Sequence, residues 1–300
     1  MFARALILLV LAVAPCLGAQ VDPEWTTNHA PYRIVGNLYY VGSNDLAAYL
    51  ITTPQGNILI NANLASSVPQ IRQNIQSLGF RFADTKILLN GQAHFDHVGG
   101  MAEMKRLTHA KVEVMEGDVA AMESGGKADF FFYNDPGAQF APVKVDRVLH
   151  DSDQVKLGAT VLTAHLTAGH TPGDTTWTMQ IAEAGRVYNI VIVGGAGANS
   201  GNNLVDDPRY PAQAEDFVRT FRTLRSLPCD IFLGAHGSYF NLQEKYARLR
   251  GEGPNPFIDA FIDPVGYKAY IDERELAFRA ELAKQKAAQS RNPHGSSAQR

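Results

Sequence analysis

Apolar and polar residues alternate in three stretches near the beginning of the chain, with the period of two that is typical of half-buried β-strands. The stretches run from Tyr32 to Val41, from Ala47 to Thr53 and from Asn57 to Asn61. Turn-forming residues lie within and between them, at Gly36-Asn37 and at Pro54-Gln55-Gly56-Asn57. The pattern predicts an antiparallel meander.

Strands and helices are predicted in a similar order in the two halves of the remaining chain. Helical spacing covers Val68 to Leu78, Gly99 to Leu107, Pro211 to Leu227 and Asp272 to Ala288, and strand patterns cover Lys86 to Asn90, Lys111 to Met115, Val155 to Leu157, Thr160 to Leu166, Trp177 to Ile181, Val187 to Val193 and Ile231 to Leu233. Residues Ser124 to Phe140 are predicted as a loop with an aromatic patch. This order favours an α/β (α+β) fold class, with two sheets packed face to face and helices outside, rather than a βαβ run.

Composition and charge indicate which kinds of partner the protein can bind. The chain has 300 residues, of which 45% are hydrophobic, and its formal net charge is −3. Lys and Arg are scattered and form no basic run, so we expect no nucleic-acid partner.

The first residues resemble an export signal. Arg4 provides a short positive region, Ala5 to Ala14 is apolar, and small residues follow up to Ala19. The apolar run is too short to span a bilayer, so we predict a cleaved signal peptide at residues 1–19, a single domain at residues 20–300, and a periplasmic or secreted protein that does not associate with the membrane. A lipoprotein signal around Cys16 is the alternative. Cys229 then remains without a disulfide partner and is interpreted as a buried packing residue.

Three strand-end turns each carry a histidine. The first is Gln92-Ala93-His94-Phe95-Asp96-His97, the second is Gly169-His170-Thr171-Pro172-Gly173, and the third is Gly234-Ala235-His236-Gly237. Imidazole and carboxylate groups are zinc ligands, and side chains at strand ends commonly converge on one face. A single histidine after a strand is more often structural, and His29, His109, His150, His165 and His294 are interpreted in that way.

The first turn resembles the H-x-H-x-D-H signature of the metallo-β-lactamase superfamily, with Gln92 in place of the first histidine. The other two turns, together with Asp207-Pro208-Arg209-Tyr210-Pro211 ahead of a helix, resemble subclass B3 of that superfamily. The resemblance extends from Trp25 to the final helix. It implies a four-layer αβ/βα sandwich and a β-lactamase that opens penicillins, cephalosporins and carbapenems by attack of a zinc-bound hydroxide.

The same resemblance implies the ligands. Gln92, His94 and His170 would hold a first zinc, and Asp96, His97 and His236 a second. Asp96 would also orient the nucleophilic water. Because an amide oxygen is a weaker donor than imidazole, we expect one or two zinc ions per chain, with the first site the weaker. Some members of the subclass carry the same glutamine.

A second departure from the superfamily pattern lies at Gly194-Gly195-Ala196-Gly197-Ala198-Asn199. Glyoxalase II and the lactonases carry a metal-bridging aspartate at this strand end, and its absence here favours a β-lactamase over a lactonase or thioesterase. Many members of the subclass have a serine where Ala196 falls. A non-catalytic periplasmic zinc-binding protein remains a further alternative.

The substrate contacts suggested by the sequence are Asn202, Asn203, Tyr239 and Phe131. Each of them has a structural alternative. The expected partner is a small-molecule β-lactam, and the protein is expected to be a monomer.

Overall fold

The predicted meander forms the first part of a seven-stranded sheet. The computed structural model describes residues 21–250 and 258–291. Four strands pair antiparallel in chain order, namely β1 (Tyr32–Val35), β2 (Leu38–Tyr40), β3 (Tyr49–Thr53) and β4 (Gly56–Ile60). Three strands then continue the sheet in parallel, namely β5 (Thr85–Leu89), β6 (Lys111–Met115) and β7 (Arg147–Leu149).

The second sheet has five strands in the order β12-β11-β10-β9-β8. They are β8 (Gln154–Leu157), β9 (Thr160–Leu166), β10 (Thr175–Glu183), β11 (Arg186–Val193) and β12 (Ile231–Gly234). The first four pair antiparallel, whereas β12 is parallel to β11.

The α-helices of the described residues lie between or after these strands. They are α1 (Pro23–Thr26), α2 (Val68–Ser77), α3 (Phe95–Val98), α4 (Met101–Thr108), α5 (Val119–Ser124), α6 (Gln213–Ser226), α7 (Leu242–Leu249) and α8 (Pro264–Arg291). Helix α2 connects β4 to β5, α3 and α4 connect β5 to β6, and α6 connects β11 to β12. Parallel neighbours need such crossovers, so each sheet contains βαβ connections, which the predicted two-sheet arrangement did not include.

Two hydrophobic cores separate the layers. Ile58 and Ile60 of β4 belong to the core between the two sheets, and Leu59 belongs to the core beneath α2 and α4. All five residues of β4 are buried, because a strand covered on both faces buries both sets of alternating side chains. The first core continues to α6 and α8 through Phe217 and Phe278. The αβ/βα sandwich and the α/β (α+β) class are confirmed.

Several element bounds differ from the predictions. The stretch from Tyr32 to Val41 is a hairpin with its turn at Gly36-Asn37. Helix α4 starts at Met101 rather than Gly99, and α5, β7 and α7 were not predicted. Helix α8 starts at Pro264 rather than Asp272, since its first two turns bury Tyr267, Tyr270 and Ile271. These short or polar segments have weak periodicity, and tertiary contacts stabilise them.

The predicted signal peptide, residues 1–19, lies outside the described residues. Across residues 21–250 and 258–291, none of the helices combines the length and the apolar character needed to cross a membrane.

Candidate metal centre

The chain segment after β5 carries four of the predicted ligands in six residues. Gln92 and His94 lie in the turn, and His94 has an extended backbone (φ −91°, ψ 153°) immediately before α3. Asp96 and His97 lie on α3 itself. All four side chains are buried. Because burial of carboxylate and imidazole groups is costly unless they are paired or bound to a metal, the arrangement requires partners for these atoms.

Asp96, His97 and His236 form one donor group. Oδ2 of Asp96 lies 3.1 Å from Nε2 of His97 and 3.5 Å from Nε2 of His236. The three ligand atoms all lie within 4.8 Å of one another. Both ring nitrogens of His97 are buried, and neither forms a hydrogen bond, although Nε2 makes the ion-pair contact with Asp96.

His94, His170 and Gln92 form the second donor group. The rings of His94 and His170 meet edge to face with centroids 4.8 Å apart. Nε2 of Gln92 donates a hydrogen bond to the Gly194 carbonyl at 3.3 Å, whereas its Oε1 is buried without a partner. The free Oε1 is the atom that an amide offers to a metal.

Partners outside the donor groups hydrogen-bond one ring nitrogen of His170 and of His236, and a carboxylate faces one ring nitrogen of His94. Nδ1 of His170 donates to the Gly197 carbonyl at 2.6 Å. Nδ1 of His236 lies 2.7 Å from Oδ2 of Asp45, and Nε2 of His94 lies 3.4 Å from Oδ2 of Asp129. A carbonyl can only accept, so His170 keeps its proton on Nδ1 and a lone pair on Nε2. Such outer partners orient metal-binding histidines and select their tautomer.

The pKa values in the two groups follow from burial and charge. Burial and the neighbouring His94 lower the pKa of His170 to about 3, so its ring is neutral at pH 7. Burial disfavours protonation of His236, but Asp45 and Asp96 outweigh it and raise its pKa to about 9. Burial also opposes ionisation of Asp96, yet His97 and His236 hold its pKa well below the usual range. A metal bound at His236 would therefore displace a proton.

The donors fit zinc. Neutral imidazoles, one carboxylate and one amide oxygen are nitrogen and oxygen ligands of the kind that zinc accepts. The unpaired atoms on Gln92 and His97 are the buried polar atoms that a metal would satisfy. A metal ion would be held by Gln92, His94 and His170 in one group, and by Asp96, His97 and His236 in the other.

A sequence profile of the Metallo-beta-lactamase superfamily matches residues 42–236, which include both donor groups. The chain belongs to the metallo-beta-lactamase superfamily.

Solved structures of this superfamily resemble the whole described fold. The native FEZ-1 metallo-beta-lactamase from Legionella gormanii is 51% identical, with 87% of this chain and 98% of that chain covered and a TM-score of 0.84. GOB-18 from Elizabethkingia meningoseptica is 37% identical, with 88% and 96% covered and a TM-score of 0.83. The class B3 di-zinc enzyme LRA-12, from an Alaskan soil metagenome, is 38% identical, with 88% and 98% covered and a TM-score of 0.82.

The turn that carries His170 is held rigidly in this metallo-beta-lactamase fold. Gly169 has φ +137°, and a Cβ at that position would lie 2.7 Å from the Phe217 ring of α6. Asp118 accepts hydrogen bonds from the Thr171 hydroxyl at 3.0 Å and from the Gly173 amide at 2.8 Å. Only glycine combines this backbone with this contact, so the turn can present His170 in one orientation.

The proposed substrate contacts occupy different surroundings. The Tyr239 ring lies 5.1 Å from the His236 ring. The Asn202 side chain is buried and has no hydrogen-bond partner, whereas Asn203 is exposed and donates to Asp206. Phe131 does not pack on a predicted ligand in the described contacts, but its neighbour Phe132 does, with its ring 5.0 Å from that of His94.

Sequence reasoning missed three residues of this centre, namely Asp45, Asp129 and Phe132. Asp45 is an isolated acid in a turn and Asp129 an isolated acid before an aromatic run, so neither shows a local motif. The run Phe130-Phe131-Phe132-Tyr133 was recognised, but only the loop conformation determines which ring faces His94.

Proposed function

We propose that this chain is a zinc-dependent β-lactamase of subclass B3 that hydrolyses the β-lactam amide of penicillins, cephalosporins and carbapenems. The observation that carries the proposal is the convergence of two donor groups, with unpaired buried ligand atoms, from the turns that follow β5, β9 and β12. The 51% identity to FEZ-1, a metallo-beta-lactamase, across 87% of the chain supports it.

The packing of β11's end supports a β-lactamase over a lactonase or thioesterase. A Cβ at Gly194 would lie 2.5 Å from the Gly91 carbonyl oxygen, and one at Gly195 would lie 2.9 Å from the His170 ring. Backbone atoms at Gly194, and the His170 and Asp174 side chains at Gly195, therefore leave no room for an aspartate side chain at either position. The adjacent Ala196 supplies no carboxylate.

The chemistry divides between the metal and the side chains. Zinc, when bound, lowers the pKa of a water ligand to about 7 and polarises a carbonyl oxygen. Asp96 stays ionised at neutral pH, so it can ligate and can also accept a hydrogen bond that orients the attacking water. His170 is neutral and offers its Nε2 lone pair. His236 is aligned by Asp45, which keeps its Nε2 toward Asp96.

We propose that the first zinc site is the weaker one. Gln92 contributes a neutral amide oxygen where the superfamily signature has imidazole. Its amide nitrogen donates a hydrogen bond to the Gly194 carbonyl. One or two zinc ions per chain are therefore expected, depending on the free zinc concentration. Asp96, His97 and His236 would retain the tighter ion.

Four side chains are proposed to contact the substrate. Asn202 and Asn203 would bind the substrate carboxylate, Tyr239 would reach the reacting group from beside His236, and Phe131 would cover an apolar substituent. The protein is further proposed to act as a monomer in the periplasm or outside the cell, with a small-molecule β-lactam as its partner.

The test is hydrolysis of a carbapenem by purified mature protein during a zinc titration, with a chelator control. Turnover that the chelator removes and zinc restores supports the proposal, and its zinc dependence gives the number of ions required. His236→Ala should abolish turnover at every zinc concentration. His165→Ala is the matched control, because His165 lies in β9 and bonds Thr178 rather than a ligand.

Other outcomes favour other functions. Turnover of a lactone or thioester without turnover of any β-lactam would point to a lactonase or thioesterase. Tight zinc binding by folded protein, with none of these substrates hydrolysed, would point to a non-catalytic zinc-binding protein.

A further inference from the structure

Asp129 is a buried carboxylate that precedes the aromatic turn Phe130–Tyr133. Its side chain is 3% exposed, and that of His94, which it faces, is 4% exposed. A carboxylate at this depth is stable only when its oxygens are hydrogen-bonded or paired with charge. Its partners therefore reveal what it holds in place.

The two oxygens of Asp129 serve different parts of the structure. Oδ1 accepts the backbone N–H of Phe131 at 2.8 Å and that of Phe132 at 2.5 Å, which shapes the aromatic turn. Oδ2 lies 3.4 Å from Nε2 of His94, a proposed ligand of the first zinc, and the two atoms form an ion-pair contact rather than a hydrogen bond. One carboxylate thus joins the loop backbone to a metal-binding side chain.

The aromatic turn also contacts the same histidine directly. The Phe132 ring meets the His94 ring edge to face at 5.0 Å and the Phe95 ring at 6.2 Å. The turn is anchored on its other side, where the Arg209 guanidinium lies 3.5 Å from the centroid of the Tyr133 ring. A shift of His94 would therefore change two contacts of the turn, the approach of Nε2 to Asp129 and the packing against Phe132.

We propose that Asp129 is a positioning residue that couples metal binding at His94 to the ordering of the aromatic turn. With the proton of His94 on Nε2, which faces Oδ2 of Asp129 at 3.4 Å, the lone pair for a metal is on Nδ1. A metal on Nδ1 would polarise the ring and favour a hydrogen bond from Nε2–H to the carboxylate. Coupling of this kind is reciprocal. If bound metal increases the ordering equilibrium of the turn by a given factor, ordering of the turn increases the metal affinity by the same factor.

The inference rests on the proposed zinc site at His94, but its test does not require β-lactam hydrolysis. Asp129→Asn separates the two roles, because the amide oxygen can still accept the Phe131 N–H while the amide NH₂ leaves His94 without an acceptor. Asp135→Asn is the matched control. Asp135 lies in the same loop, is exposed, and accepts the Gly137 N–H at 2.8 Å without contacting a proposed ligand in the described structure.

Two quantities are measured, with zinc as the probe. Zinc affinity of the first site is obtained by competition with a chromogenic chelator, and hydrogen exchange is followed on peptides covering residues 125–140 with and without zinc. In the unaltered protein, zinc should protect the amides of the aromatic turn. Asp129→Asn should weaken first-site affinity by about 10–100-fold and abolish the zinc-dependent protection, whereas Asp135→Asn should preserve both.

Unchanged first-site affinity in a folded Asp129→Asn protein would overturn the proposal, and so would exchange at the turn that does not respond to zinc in the unaltered protein. If Asp129→Asn does not fold, His94→Ala supplies the test. It should remove zinc-dependent protection from residues 129–133 and leave that of the segment around His236 intact.

The proposed function and this inference fail in different ways. Coupling without turnover of any β-lactam contradicts the function alone. If the unaltered protein hydrolyses a β-lactam and its Asp129→Asn variant binds zinc with unchanged affinity, only the coupling is contradicted.

Discussion

Nδ1 of His236 lies 2.7 Å from Oδ2 of Asp45, a residue 191 positions earlier in the chain. The other oxygen of Asp45 accepts the Ser238 backbone N–H at 2.9 Å, so the carboxylate holds both the histidine ring and the segment that carries it. His236 keeps Nε2 toward Asp96 as a result. The geometry is that of a carboxylate–histidine pair behind a candidate metal ligand.

Asp45→Asn should weaken zinc binding at the Asp96–His97–His236 group by about 10–100-fold, because the histidine loses its charged partner and its fixed tautomer. Zinc competition titrations measure the change. Asp22→Asn is a suitable control, since the Asp22 side chain is exposed and bonds only the Glu24 amide among the described contacts. Equal zinc affinities for Asp45→Asn and the unaltered protein would show that the pair has no part in metal binding.

Gln92→His should increase zinc retention at the first site. Imidazole is a better zinc donor than an amide oxygen, and Gln92 already presents an unpaired buried atom. Metal analysis after dialysis should show zinc content rising toward two ions per chain. The control is Gln180→His, which adds a histidine to an exposed position of β10. If the zinc content of Gln92→His does not exceed that of the control, Gln92 is not a ligand.

Asp118 predicts a specific pH dependence of stability. Burial raises its pKa from an ordinary value of 3.8 to about 6. Between these values the folded state binds the proton and the unfolded state does not, so stability falls as pH rises, by about 3 kcal/mol for two pKa units, and levels off above pH 6. The free energy of unfolding of the unaltered protein relative to Asp118→Asn should therefore fall between pH 4 and 7.

Urea unfolding of both metal-free proteins across this pH range measures the difference. The proteins are kept metal-free with a chelator, because metal and protons compete for the ligands and bound metal would add its own pH dependence to the stability. A difference that stays constant from pH 4 to 7 would mean that Asp118 is already ionised in the folded protein at pH 4.

Lys245 is a buried cation whose partner can be removed selectively. Its side chain is 1% exposed, and Nζ lies 2.9 Å from Oδ2 of Asp263. The other oxygen of Asp263 accepts the Gly266 N–H at the start of α8. Asp263→Asn preserves an acceptor for that N–H but leaves a buried ammonium without its counter-charge, which should cost about 3–5 kcal/mol.

Lys245→Met is the matched variant, because it removes the charge and keeps an apolar side chain of similar length. It should destabilise the protein less than Asp263→Asn does, since Asp263 is 23% exposed and can be hydrated. Denaturant unfolding monitored by tryptophan fluorescence compares the two. The opposite order of stabilities would contradict the assigned role of this pair.

Local patterns in the sequence were sufficient for most of the fold. Strands such as β9 and β6 were predicted with their observed bounds, because strong alternation and flanking turn residues reflect short-range physics. Elements with weak patterns were missed, among them β7, whose three residues are mostly exposed, and α7. Their formation depends on neighbours that are distant in the chain.

The sequence by itself also determined the donor types, because Gln92, His94, Asp96 and His97 lie within six residues and two further turns carry His170 and His236. Only the tertiary structure decided which nitrogen of His170 and of His236 is free, since that depends on the Gly197 carbonyl and on Asp45. Those partners are separated from their histidines by 27 and 191 positions. A hydrogen bond of this kind requires an approach of about 3 Å in space, and no local sequence pattern encodes such an approach.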